Sequence, residues 1–133
     1  MPVLRRFRVE KLIRDRLPEI MRASGLGVFE HALNDDAFIA SLKAKLLEEA
    51  REAHAATPDE LLGELADVSE VLRALAEASG YTIVDVERAR AAKRAERGGF
   101  EARIYNEAVE APDGHPALDY YIARPEAYPE ITR

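Results

Sequence analysis

Leu46-Leu47-Glu48-Glu49-Ala50-Arg51-Glu52, then Thr57-Pro58-Asp59-Glu60, then Leu61-Leu62-Gly63-Glu64-Leu65-Ala66-Asp67-Val68 form the stretch that decides the fold. Thr57 with Glu60 three residues later reads as a capping box, and Pro58 suits a first helical position. One helix therefore ends near Ala56 and the next begins at once. Upstream, Asn34-Asp35 offers a start for the first of this pair. Downstream, Leu61, Leu65, Val68, Leu72 and Leu75 recur at helical spacing until Ser79-Gly80, a helix-stopping pair.

Further out the same punctuation repeats. Thr82-Ile83-Val84-Asp85 reads as the cap of a fourth helix that ends at Gly98-Gly99. Pro18 suits the opening turn of a short first helix that stops at Ser24-Gly25. Val3, Phe7 and Val9 alternate with Arg6 and Arg8, and Phe100, Ala102 and Ile104 alternate with Glu101, Arg103 and Tyr105. Both segments are expected as short terminal strands. The tail from Asp113 is rich in Pro and Tyr, has no clear period, and is expected to wrap along the body. The expectation is an all-α protein: one domain over residues 1–133, with a helical core of about 11–98 and a C-terminal extension of about 100–133. The third helix carries apolar residues on more than one side (Leu62 beside the main stripe), so a homodimer is expected to complete the bundle.

Composition narrows the function. With 47% hydrophobic and 33% charged residues, 133 residues suffice for one soluble domain. No cysteine means no disulfide scaffold, no thiol nucleophile and no Cys-based zinc site. The three histidines, His31, His54 and His115, are far apart, which disfavours a His-rich metal site. A net charge of −6 argues against a nucleic-acid polymer as partner. No run of about 18 apolar residues occurs, so no membrane span or signal peptide is expected, and the expected location is the cytoplasm.

Two helices place acids where apolar residues belong. On the second helix, Phe38, Ile39, Leu42, Leu46, Ala50 and Ala53 fall within an arc of roughly 120°. Glu49 projects inside it, with Glu52 and then Glu48 just past its edge. On the third, Leu61, Leu65, Val68, Val71, Leu72 and Leu75 define the expected buried arc, Glu64 projects between Val71 and Leu75, and Asp67 lies at the margin. A buried acid costs several kcal/mol unless its charge is compensated. No basic residue lies in either arc, and Lys45 is the nearest, at the rim. Facing pairs Glu49/Glu52 and Glu64/Asp67 would repel one another without a cation, and an all-oxygen donor set selects Mg²⁺ or Mn²⁺. Protonated or Arg-paired acids at a subunit interface are the alternative, and Glu48-Glu49-Ala50-Arg51-Glu52 alone would suit a solvated face.

Glu49-Ala50-Arg51-Glu52 followed by Glu64-Leu65-Ala66-Asp67 resembles the ExxE…ExxD signature of the all-α, MazG-like nucleoside-triphosphate pyrophosphohydrolases. Lys11-Leu12-Ile13-Arg14-Asp15-Arg16-Leu17-Pro18-Glu19-Ile20 and Arg97-Gly98-Gly99-Phe100 resemble a compact branch of that superfamily that is phosphoribosyl-ATP pyrophosphohydrolase-like. The resemblance covers about residues 8–108. Eleven residues separate Glu52 from Glu64, slightly tighter than the superfamily's usual spacing, and the capping box accounts for the quick turn. The N-terminal segment is not typical of the histidine-pathway enzymes.

The resemblance implies that Glu49, Glu52, Glu64 and Asp67 hold Mg²⁺, with Mn²⁺ as substitute, and that a nucleoside triphosphate is cleaved to monophosphate and pyrophosphate. Glu48 is the candidate to take the proton from the attacking water. Lys11 and Arg14 are the implied substrate contacts, though salt bridges from Arg14 to Asp15 or Glu19 would be a simpler use. On the fourth helix Arg90, Lys93 and Arg97 share a face, and Lys93 with Arg97 could clamp phosphate oxygens or pair with Glu87 or Glu96 instead. Tyr105, Tyr120, Tyr121 and Tyr128 could stack on a base or anchor the tail. The expected function is nucleotide-pool house-cleaning as a homodimer or dimer of dimers. The alternatives are a phosphoribosyl-ATP pyrophosphohydrolase and a non-catalytic helical binding module.

Overall fold

The computed structural model describes residues 2–132. Its elements are α1 (Leu17–Ala23), α2 (Asp35–Ala55), α3 (Pro58–Ala78), α4 (Ile83–Arg97) and α5 (Leu118–Ile122), with no strand among the described residues. The protein is all-α. The chain divides between Glu96 and Arg97 into two compact units.

Helix ends follow the sequence chemistry. The Asn34 side chain accepts from the Ala37 N–H at 2.9 Å, satisfying one of the donors a helix start leaves open. Thr57 N–H donates to Glu60 Oε1 at 3.3 Å and its hydroxyl to the same oxygen at 2.6 Å. Those bonds lower the Glu60 pKa, the hydroxyl contributing most. At α4, Thr82 and Asp85 exchange bonds: Thr82 N–H to Asp85 Oδ2 at 2.8 Å, Asp85 N–H to Thr82 Oγ1 at 3.1 Å. α3 ends in a Schellman turn, with Tyr81 N–H on the Ala76 carbonyl at 2.8 Å and Gly80 N–H on that of Glu77 at 3.1 Å. Gly80 has φ +86°, a backbone conformation that side chains with a Cβ rarely adopt.

In the first unit, α2 and α3 pack on each other along a hairpin turned at Ala56-Thr57, while α1 and α4 pack on neither. Leu42, Val71 and Ala76 are its buried apolar residues, with Phe38, Ile39, Leu46, Val68 and Leu75 half-buried. The third-helix arc differs from expectation. Leu61, Leu65 and Leu72 are exposed (39, 51 and 37%), because α2 covers only the flank bearing Glu64, Val71 and Leu75.

The expected strands do not form. Residues 3–9 have no regular structure or ladder partner, and Arg6 lies instead over the Phe29 ring at 4.3 Å. At the second segment Arg103 N–H returns to the Phe100 carbonyl at 3.1 Å, with Arg103 at φ +57°, so the chain turns where the alternation suggested extension. Alternation supplies a face, but a strand also needs a neighbour to complete its hydrogen bonds.

In the second unit α5 forms where the aperiodic tail gave no helical signal. Tyr120, Tyr121 and Tyr128 pack ring to ring, with centroids 5.0–5.7 Å apart. Arg124 lies over the Tyr120 ring at 4.0 Å. The Tyr128 pKa is raised, chiefly by its hydrogen bond with Tyr120. These tyrosines bind their own segment together.

Candidate metal centre

The two-residue turn between α2 and α3 sets which of their turns face one another. It brings carboxylate oxygens of Glu49, Glu64 and Asp67 within 4.8 Å of one another. Glu49, only 7% exposed, is the buried charged residue among those described; Glu64 and Asp67 are half-buried. Oε2 of Glu49 and Oε2 of Glu64 are both buried without a hydrogen-bond partner. Burial first, then the hydrogen bond and charge of Glu52, push the Glu49 carboxyl above its ordinary pKa; Asp67 adds to this and Lys45 opposes it. Glu52 thus lies beside Glu49, exposed and outside the close trio.

Oxygens bound to one Mg²⁺ at about 2.0–2.1 Å lie roughly 3–4 Å apart, so small side-chain movements would close this trio on a cation. Two orphaned buried oxygens and an all-carboxylate donor set fit a hard divalent ion.

The basic residues arrive from elsewhere in the chain. Arg14 Nη2 meets Asp67 Oδ1 at 2.7 Å, and Lys11 Nζ meets Glu48 Oε1 at 3.1 Å. Lys45, a turn before Glu49 on α2, is 3.5 Å from Glu49 Oε1 and 3.9 Å from Glu48 Oε2. The pairing of Arg14 with Asp67 rather than Asp15 or Glu19 spans 53 residues, and no local pattern could display it.

No family model matches the chain. No solved structure matches it either. A protein of Mycolicibacterium smegmatis (strain ATCC 700084 / mc(2)155), described as uncharacterized, is 50% identical over 46 residues. That match covers 35% of this chain and 47% of the relative, so it spans about half the length of that protein.

Beside the carboxylates opens a cavity of about 490 Å³ between residues 12–16, α2 and α3. Phe38, Leu42, Val71 and Ala74 give it an apolar wall, and Glu49 and Asp67 line it on the acidic side. Glu48 is half-buried under its two lysines. Lys93 and Arg97 are exposed on α4, and α4 packs on neither helix that carries the acids. Arg90 is taken up locally, with Nε and Nη2 on the two Glu87 oxygens at 2.9 and 2.6 Å. Sequence reasoning placed Lys45 at the rim without giving it a partner; its side chain, 19% exposed, sits against Glu49 and Glu48. Its position one turn before Glu49 was the available signal.

Proposed function

We propose that this chain is a Mg²⁺-dependent nucleoside-triphosphate pyrophosphohydrolase of the MazG-like all-α superfamily, acting as a homodimer or dimer of dimers. The observation that carries the proposal is Glu49, buried with an orphaned oxygen, within 4.8 Å of carboxylate oxygens of Glu64 and Asp67. Lys45 and Arg14 offset the cluster only in part, because Oε2 of Glu49 and of Glu64 keep no partner, and a divalent cation would supply the remaining charge.

Glu49, Glu64 and Asp67 would hold the cation, with Glu52 as the adjoining fourth carboxylate. A bound Mg²⁺ neutralises phosphate charge and lowers the pKa of water. The protein's own residues do the rest. Lys11 and Arg14, on exposed side chains beside the acids, bind phosphate oxygens. Glu48, adjacent on α2 and outside the trio, accepts the proton of the attacking water. Water adds to the α phosphorus and pyrophosphate leaves with the bridging oxygen, or water adds to the β phosphorus and the nucleoside monophosphate leaves with it. Either way the α–β phosphoanhydride bond breaks, the water's proton passes to Glu48, and the products are nucleoside monophosphate and pyrophosphate. The apolar wall of the neighbouring cavity accommodates the base and excludes bulk water.

The test is pyrophosphate release from a panel of canonical and modified nucleoside triphosphates and phosphoribosyl-ATP, with Mg²⁺ or chelator. At least one substrate is expected to turn over only with metal. Glu49→Gln and Glu64→Gln are each expected to lower turnover at least about a hundredfold, since removing one metal ligand or charge-stabilising group costs that order. Full activity in either variant would overturn the site. Silence across the panel with folded, Mg²⁺-saturated protein would favour a binding module.

A further inference from the structure

The acid cluster carries two kinds of counter-charge. Lys45 is fixed on α2 with its side chain largely covered, whereas Lys11 and Arg14 reach in from a segment without regular structure, their side chains 54 and 61% exposed. Just upstream, Glu10 adopts φ +48° and the chain bends at Lys11. Asp67 uses Oδ1 for the Arg14 guanidinium at 2.7 Å while the same carboxylate belongs to the trio with Glu49 and Glu64. A guanidinium there is a point of positive charge where a divalent ion would place its own, and the two repel.

We propose that Lys11–Arg14 is a displaceable strap: Arg14 on Asp67 stands in for the divalent cation, Lys11 on Glu48 holds the same segment beside it, and cation entry at Asp67 frees the segment's side chains toward the phosphates. This rests on the metal-centre reading above. It makes cation binding and triphosphate binding mutually reinforcing, because one event frees the residues that the other uses. An exposed ion pair is weak enough to be exchanged in this way.

The experiment is calorimetric titration of Mn²⁺ into the full chain, without nucleotide, for the wild type, Arg14→Gln, Arg14→Lys, Asp67→Asn and the control Arg16→Gln. Circular dichroism first establishes that each variant is folded. Arg14→Gln is expected to bind Mn²⁺ about two- to fivefold more tightly than wild type, Arg14→Lys close to wild type, and Asp67→Asn far more weakly. Arg16→Gln removes a neighbouring charge that pairs with none of the acids, and is expected to change little. Amide exchange over residues 8–16 is expected to quicken when wild type takes up Mn²⁺. Unchanged or weaker binding by Arg14→Gln, with wild type binding and Asp67→Asn impaired, overturns the strap and leaves the metal centre standing. An equal gain from Arg16→Gln also overturns it, by showing a general charge effect. No Mn²⁺ binding by any folded variant or wild type overturns both readings.

Discussion

Glu49 is where the energetics of this protein concentrate. Its carboxyl is buried beside Glu52 and held above the ordinary carboxylate range chiefly by desolvation. A group whose folded pKa is raised binds its proton more tightly in the native state, so stability is lost as pH rises through that folded pKa. Glu30, Glu60 and Glu87 are shifted the other way, each mainly by a side-chain hydrogen bond, so their contributions fall away at pH below the unfolded value of 4.5. Among the shifted carboxyls, the window from 4.5 up to its raised pKa therefore belongs to Glu49. In chelator, the melting temperature is expected to decline across it, Glu49→Gln to flatten the decline, and saturating Mg²⁺ to reverse it. A wild-type melting profile flat above pH 4.5 in chelator would contradict the assignment. This residue was legible in the sequence because an acid inside an apolar helical arc stands out by its angle alone. Arg14 and Lys11 were legible as candidates only through resemblance. Their partners on α2 and α3 depend on long-range folding that periodicity does not encode.

At the scale of elements, capping chemistry carried most of the information. Asn34, Thr57–Glu60 and Thr82–Asp85 each sit at a helix start, and Ser24-Gly25 and Ser79-Gly80 mark two ends. Local hydrogen bonds are written in adjacent residues, which is why these boundaries could be read. The two expected strands failed for the converse reason, since their stability depends on a partner elsewhere. α5, five residues long, falls below the length at which a helical period is visible. Asn34 also bears on the site, because it fixes the start of the helix that carries Glu49. Asn34→Ala removes the acceptor for Ala37 N–H and is expected to cost about 1 kcal/mol in denaturant unfolding. Mn²⁺ affinity should stay near wild type, because the loss lies several turns before the carboxylates. A Mn²⁺ affinity that collapsed with this variant would mean that the start of α2, rather than its packing on α3, positions Glu49.

At the scale of the whole molecule, the helical hairpin leaves an apolar row uncovered. Leu61, Leu65 and Leu72 form one exposed row on α3, and Leu62 beside it is 80% exposed. An apolar row of this kind suits a contact surface, and since Leu61, Leu65 and Leu72 are already about half covered, burying the rest of each is worth roughly half of the 1.5–3 kcal/mol of a fully exposed leucine. The proposed homodimer would cover it, leaving the acid-bearing flank of α3 against α2. The two flanks of one helix would then divide the work, one building the metal centre and the other joining the subunits. Leu65→Glu places a charge in the row without touching the acids. Sedimentation is expected to show wild type as a dimer or larger even, symmetric species, and Leu65→Glu shifted to monomer with its circular dichroism retained. If wild type sediments as a monomer at tens of micromolar, the dimer is wrong and the leucine row needs another cover. If Leu65→Glu stays dimeric, the subunits join through a different face and α3 does not hold them together.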